Sequence, residues 1–246
     1  MIGLEVCVDD PAGLDAAVAG GANRIELCAA LGLGGLTPSA GLVALAARSQ
    51  VPVMAMIRPR AGDFIWTEPE IAAQLVEIAT IRAAGLAGVV IGASLPDGRL
   101  DGATLAQLVV AAKGLDVTLH RAIDLAPDPV AAIGLCHDLG IRRVLSSGGA
   151  PSAQEGIARL VAMQNAAPDM TIMPGGGVSA ENITALAQAF PLAEVHASCS
   201  APAAEPADHR IASFGFLPNG ARVTNAGRVR ALRSALDQLT GAATRG

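Results

Sequence analysis

IGLEVCVDDP, residues 2 to 11, opens the chain with an alternating apolar run that stops at two aspartates and a proline. Successive side chains of a strand point to opposite faces, so Glu5 and Cys7 share one face and Leu4 and Val6 the other. The residues just past this strand separate two fold classes. A doubly wound sheet that binds a dinucleotide carries its glycine-rich turn directly after the first strand, and CVDDP lacks one. DPAGLDAAVAGG reads instead as a helix begun by aspartate and ended by glycine. The acid and thiol pairing then recurs in RIELC, residues 24 to 28, where Glu26 and Cys28 look one way and Ile25 and Leu27 the other.

Beyond these two strands, six further β-rich runs alternate with helical patterns: VPVMAMIR (51 to 58), LAGVVIG (86 to 92), DVTLHR (116 to 121), RRVLSS (142 to 147), MTIMPG (170 to 175) and AEVHAS (193 to 198). About eight βα units in 246 residues match the count and length of a TIM (β/α)8 barrel. The expectation is one barrel domain over residues 1 to 246. A long segment without helix or strand period, about 201 to 224, precedes the last helix. It carries Phe214 and Phe216 and is expected to cover the mouth or reach a neighbouring subunit.

Composition narrows the function. Hydrophobic residues make up 52% and charged residues 16%, the formal net charge is −5, and no basic run exceeds a pair, which argues against nucleic acid and anionic membrane as partners. No apolar run is long enough to span a bilayer, and the opening lacks the features of a secretory signal, so a cytoplasmic protein is expected. Cysteines at 7, 28, 136 and 199 form neither a disulfide framework nor a CxxC knuckle and should be reduced thiols. Cys136 and His137 fall inside a helix pattern, where a packed thiol and an exposed histidine are the expectation.

Barrel chemistry belongs at the C-terminal ends of the strands. There lie GGLTPS after strand two, RPRAGDF after strand three, HRAID after strand five, SSGGA after strand six, PGGGVSAEN after strand seven and HASCSA after strand eight. Glu5, Cys7, Glu26 and Cys28 should face the barrel axis on neighbouring strands. Buried acids require donors, for which Arg58, His120 and His196 stand available. Met54 and Met56 share the face of Arg58. His120, followed by Arg121 and Asp124, sits where barrel enzymes place acids and bases. Glycine loops can approach an anion closely, so Arg60, Ser147, Gly148, Gly149, Gly175, Gly176 and Gly177 form a candidate anion site.

ELC, GGLTPS, IRPR with GDF, HRAID, LSSGG, PGGGV and EVHAS, in that order, resemble the CutC copper-homeostasis family over residues 2 to about 233. The resemblance implies a TIM barrel, a cytoplasmic location, homo-oligomerisation and a role in copper handling, with Cys7 and Cys28 as the favoured copper ligands. Cu(I) is soft and prefers thiolate and thioether donors, which is compatible. Ala61, Ile123 and Asn225 depart from the usual family wording, the last standing where aspartate is usual.

Two function classes emerge. In the first, the chain binds Cu(I) through Cys7 and Cys28, with no organic cofactor implied. In the second, it is an isomerase, lyase or hydrolase acting on a small phosphorylated or carboxylated metabolite, using Glu5, Glu26, Arg58, His120, Asp124 and His196. A Schiff-base aldolase is disfavoured, because the single lysine, Lys113, precedes strand five at the end of a helix. A hard divalent ion at Glu5, Glu26 and Asp124 is a third, weaker reading.

Overall fold

A computed structural model describes residues 1–218 and 220–243. The eight parallel strands are β1 Gly3–Val8, β2 Arg24–Leu27, β3 Val53–Met56, β4 Gly88–Ile91, β5 Asp116–Leu119, β6 Arg143–Ser146, β7 Thr171–Pro174 and β8 Glu194–Ala197. They hydrogen-bond in the order β7-β6-β5-β4-β3-β2-β1-β8, and β7 and β8 lie against each other at the seam, giving a nearly closed TIM barrel. Helices α1 Pro11–Gly20, α2 Ala40–Ala46, α3 Glu68–Ala83, α4 Gly102–Ala111, α5 Pro129–Asp138, α6 Ile157–Ala166 and α7 Ile183–Ala189 fill the crossovers.

Local chemistry sets these boundaries. Asp10 caps α1 by accepting from Gly13 N, Pro11 occupies the first turn where its missing N–H costs nothing, and Gly21, at φ 94, closes the helix through the left-handed region. Asp101 and Asp128 cap α4 and α5 in the same way. Leu4, Val6, Ile25, Leu27, Val89, Ile91, Val144 and Val195 belong to the large core between sheet and helices. The opposite face of the same strands holds a separate cluster of Cys28, Met54, Met56 and Val90 inside the barrel.

Ion pairs form the barrel floor. Arg24 bonds Glu5 and Glu194, while Arg143 bonds Glu194 and Asp116. Four of these five residues open their strands, so the network lies at the N-terminal end, where barrel residues serve stability.

Residues 201 to 224 differ from the irregular segment expected. They include an antiparallel ribbon, β9 Ser200–Pro202 with β10 Arg222–Thr224, and a short helix, α8 Arg210–Ser213, before the final helix α9 Ala226–Ala243. Phe214 and Phe216 meet edge to face and are 68% and 77% exposed, so they point to solvent rather than into the chain's own mouth.

Candidate metal centre in the barrel interior

Three inward residues converge above the floor. Cys7, Glu26 and His196 each present a ligand atom within 4.8 Å of the other two, and all three are buried. Strand register explains this, because Cys7 pairs with Glu26 across β1 and β2 while Glu5 pairs with His196 across β1 and β8. His196 Nδ1 lies 2.9 Å from Glu5 Oε1, and its Nε2 lies 3.8 Å from Glu26 Oε2. The Cys28 thiol donates to Glu26 Oε2 at 3.6 Å, so the second cysteine borders the cluster through that carboxylate. Glu26 Oε1 is buried without a hydrogen-bond partner.

The two acids differ in electrostatics. Burial pushes the Glu5 carboxyl up, but the His196 hydrogen bond and the Arg24 charge outweigh it and hold the group at about 2. Glu26 has no such guanidinium partner, and burial together with the Glu5 charge raises it. Burial would lower His196, yet the carboxylates facing its two nitrogens raise it well above its ordinary value. Burial and the neighbouring Glu26 push the Cys28 thiol up. Burial and neighbouring charge thus shift His196, Glu26 and Cys28 each toward its protonated form.

Arg58 does not reach the acids, contrary to expectation. Its guanidinium donates to the carbonyls of Leu33 (2.8 Å), Gly35 (3.0 Å) and Gly62 (2.9 Å), tying the loops after β2 and β3 together, and it stacks over Phe64. Arg24 supplies the missing donor. Its signal was present in RIELC, since residue 24 shares the inward parity of Glu26 and Cys28. Arg60 is engaged by Glu70 and Asp63 and lies over Trp66, so its charge is already matched.

His120 lies at the end of β5 with its ring against Gly92, where any Cβ would overlap it. Its Nδ1 accepts from Ala122 N at 3.1 Å, which places the proton of the neutral ring on Nε2, and that atom has no partner. Burial and the Arg58 charge lower its pKa to about 3, so it is an uncharged donor. A Gly92→Ala variant is expected to displace this ring and to destabilise the fold by about 1–3 kcal/mol, read from chemical denaturation.

Asp124 belongs to neither acid cluster, which removes the hard-ion grouping with Glu5 and Glu26. Its carboxylate accepts from Ser146 Oγ, Ser147 N, Ser147 Oγ, Gly149 N and Arg121 Nε. Gly148 N donates to Ser146 Oγ. The amides of the SSGG loop thus already hold an anion, one belonging to the chain itself. Burial opposes ionisation of Asp124, but these hydrogen bonds prevail and lower its pKa. Asp124→Ala, which orphans at least two amides, is expected to cost about 2–5 kcal/mol in denaturant unfolding. In the other glycine loop, Gly175 N donates to Ser146 O, while Gly176 and Gly177 turn through the left-handed region.

Comparison with known proteins points one way. Residues 2–201 match the family model described as the CutC family. A CutC family protein of Rhizobium meliloti (strain 1021) is 53% identical over 238 residues, 96% of each chain, and one from Caulobacter vibrioides (strain NA1000 / CB15N) is 46% identical over 238 residues, 94% of this chain and 97% of the relative. The crystal structure of a protein named copper homeostasis protein CutC, from Streptococcus agalactiae, superposes with a TM-score of 0.77 at 29% identity, covering 80% of this chain and 99% of that one. Phosphoribosyl anthranilate isomerase from Thermococcus kodakaraensis, at 15% identity and a TM-score of 0.56 over 96% of this chain and 99% of its own, shares the barrel fold alone.

Proposed function

This chain belongs to the CutC family, and on that basis we propose that it binds copper as Cu(I) inside the barrel, with Cys7 and Cys28 as thiolate ligands and His196 as an imidazole ligand. The observation that carries this reading is the convergence of Cys7 Sγ, Glu26 carboxylate and His196 nitrogen within 4.8 Å. Thiolate and imidazole suit a soft cuprous ion, and a carboxylate suits it poorly. Glu26 is better placed as the acceptor of the Cys28 thiol proton, whose sulfur it already holds at 3.6 Å. Met54 and Met56 pack with Cys28 and add a thioether lining to the same interior.

Replacing Cys7 and Cys28 together by serine is expected to abolish stoichiometric Cu(I) binding in a competition titration against a Cu(I) chelator under reducing conditions. Retained affinity would reject the assignment. Because thiols ligate as thiolates and imidazole in its neutral form, loading must expel protons, the more so as burial holds the Cys28 thiol up, and apparent affinity falls as pH falls. Calorimetry in two buffers of different ionisation enthalpy should record net proton release; none would contradict the ligand set.

A cuprous site needs reduced thiols, which a cytoplasmic location supplies. No helix of the described residues is long and apolar enough to cross a membrane. A homo-oligomer is part of the same proposal, with the exposed Phe214 and Phe216 available for a neighbouring subunit. Deleting residues 203 to 220 is expected to change oligomer size in light scattering or to change copper affinity. A variant unchanged in both would remove any such role for the segment.

A further inference from the structure

A second hollow of about 280 Å³ opens between the turn after β7, the end of β8 and the start of α9. It shares no residue with the Cys7, Glu26 and His196 cluster. Its wall is rich in donors and positive charge. Left-handed backbone at Gly176 (φ 92) and Gly177 (φ 73) carries the chain past the hollow, and Asn182 locks that turn by donating to Gly177 O at 2.8 Å and accepting from Ser179 N at 2.9 Å. The amides of Gly177 and Val178 donate to no group among the described residues.

Two arginines complete the wall. Arg222 is fixed by Nε to Ser200 Oγ (2.9 Å) and by Nη2 to Ser200 O (2.7 Å), leaving Nη1 uncommitted. The Arg228 guanidinium makes no hydrogen bond or ion pair among the described residues. The 18-residue helix that begins beside it is capped by the neutral Asn225, whose Oδ1 accepts from Arg228 N at 3.0 Å, so no capping carboxylate cancels the positive helix end there. Glu181 is the one acidic residue of the lining. Two arginines against one glutamate make a locally positive hollow on a chain whose formal net charge is −5.

We infer that this hollow binds a phosphate group, either as free phosphate or as the terminal group of a small phosphate monoester. Unengaged amides of Gly177 and Val178 and the guanidinium groups of Arg222 and Arg228 line one space, a donor set of the kind that phosphate dianions take, with Glu181 the single acid facing Arg228. Barrels recurrently hold phosphate beside strands seven and eight. The volume lies just below the roughly 300–1,000 Å³ of drug-sized ligand sites, which suits a small metabolite rather than a nucleotide.

The test titrates the full chain by calorimetry, at fixed ionic strength, with inorganic phosphate, with glycerol phosphate and with glycerol. Saturable binding of the phosphate-bearing probes, and none of glycerol, is expected. Arg228→Gln should weaken that binding at least about tenfold. Glu181→Gln should strengthen it, a gain that a damaged protein would not show. Tighter binding of the monoester identifies a phosphorylated metabolite as the ligand class, and equal binding identifies the free anion. Absence of binding by both probes, or affinity unchanged in Arg228→Gln, overturns the inference. Arg228 is exposed and its guanidinium holds no element of the fold, so its substitution should leave the barrel intact. The Cu(I) titration reads the other site, so either proposal can fail without the other.

Discussion

Replacing Arg24 by methionine is expected to lower the unfolding free energy by about 3–5 kcal/mol, because it leaves buried carboxylates without their cation. Glu5 has no exposed side-chain surface and Glu194 is 21% exposed, and Arg24 bonds both at 2.5 and 2.6 Å. A carboxyl held at about 2 against an ordinary 4.5 corresponds to on the order of 3 kcal/mol, of the same size. Linkage sets the sign of the pH dependence. The folded-state pKa of Glu5 is depressed, so its contribution is fully present above 4.5 and is lost as pH falls through about 2. Glu194 is also depressed, burial being outweighed by the hydrogen bond and charge of Arg24 and by the Arg143 charge. The gap between wild type and Arg24→Met should therefore narrow as acid is added. A gap independent of pH would mean that packing of the arginine stem, not the ionic floor, carries the effect.

His196→Ala is expected to weaken Cu(I) binding by roughly a hundredfold, even with both cysteines intact, since it removes a ligand rather than a support. Stability is expected to fall less than in Arg24→Met. Glu5 keeps its bond to Arg24 when the imidazole is removed, whereas without Arg24 it keeps only the imidazole. Measuring both quantities separates the roles: Arg24→Met should cost mainly stability and His196→Ala mainly affinity. Equal copper affinity in His196→Ala and wild type would return the site to cysteines alone.

Much of the barrel was legible because its signal is repeated. Eight alternating runs separated by capped helices leave few topologies, and the parity of Glu5 with Cys7 and of Glu26 with Cys28 placed acids and thiols on one face. The ribbon at 200–202 and 222–224 was missed because two three-residue strands, mostly at the surface, carry no apolar alternation to detect. Arg24 and Arg143 were missed as floor residues because an arginine that opens a strand resembles an ordinary exposed edge. Only its parity with residues further along the strand, 26 and 28 or 145 and 147, betrays that it points inward. The SSGG loop was legible as a place for an anion, but Asp124, more than twenty residues earlier, fills it. No local spacing distinguishes an internal carboxylate from an external ligand. The partnership of Cys7 with His196 was likewise beyond sequence, since it depends on β8 returning beside β1 after the whole barrel has closed.

X-ray absorption at the copper edge, on Cu(I)-loaded protein, reads the mixed ligand set without an intermediary. A sulfur shell together with an imidazole nitrogen shell is predicted, the nitrogen contribution disappearing in His196→Ala. A pure sulfur shell that is indifferent to residue 196, or a spectrum unchanged when Cys7 becomes serine, would contradict a copper site built on Cys7 and His196.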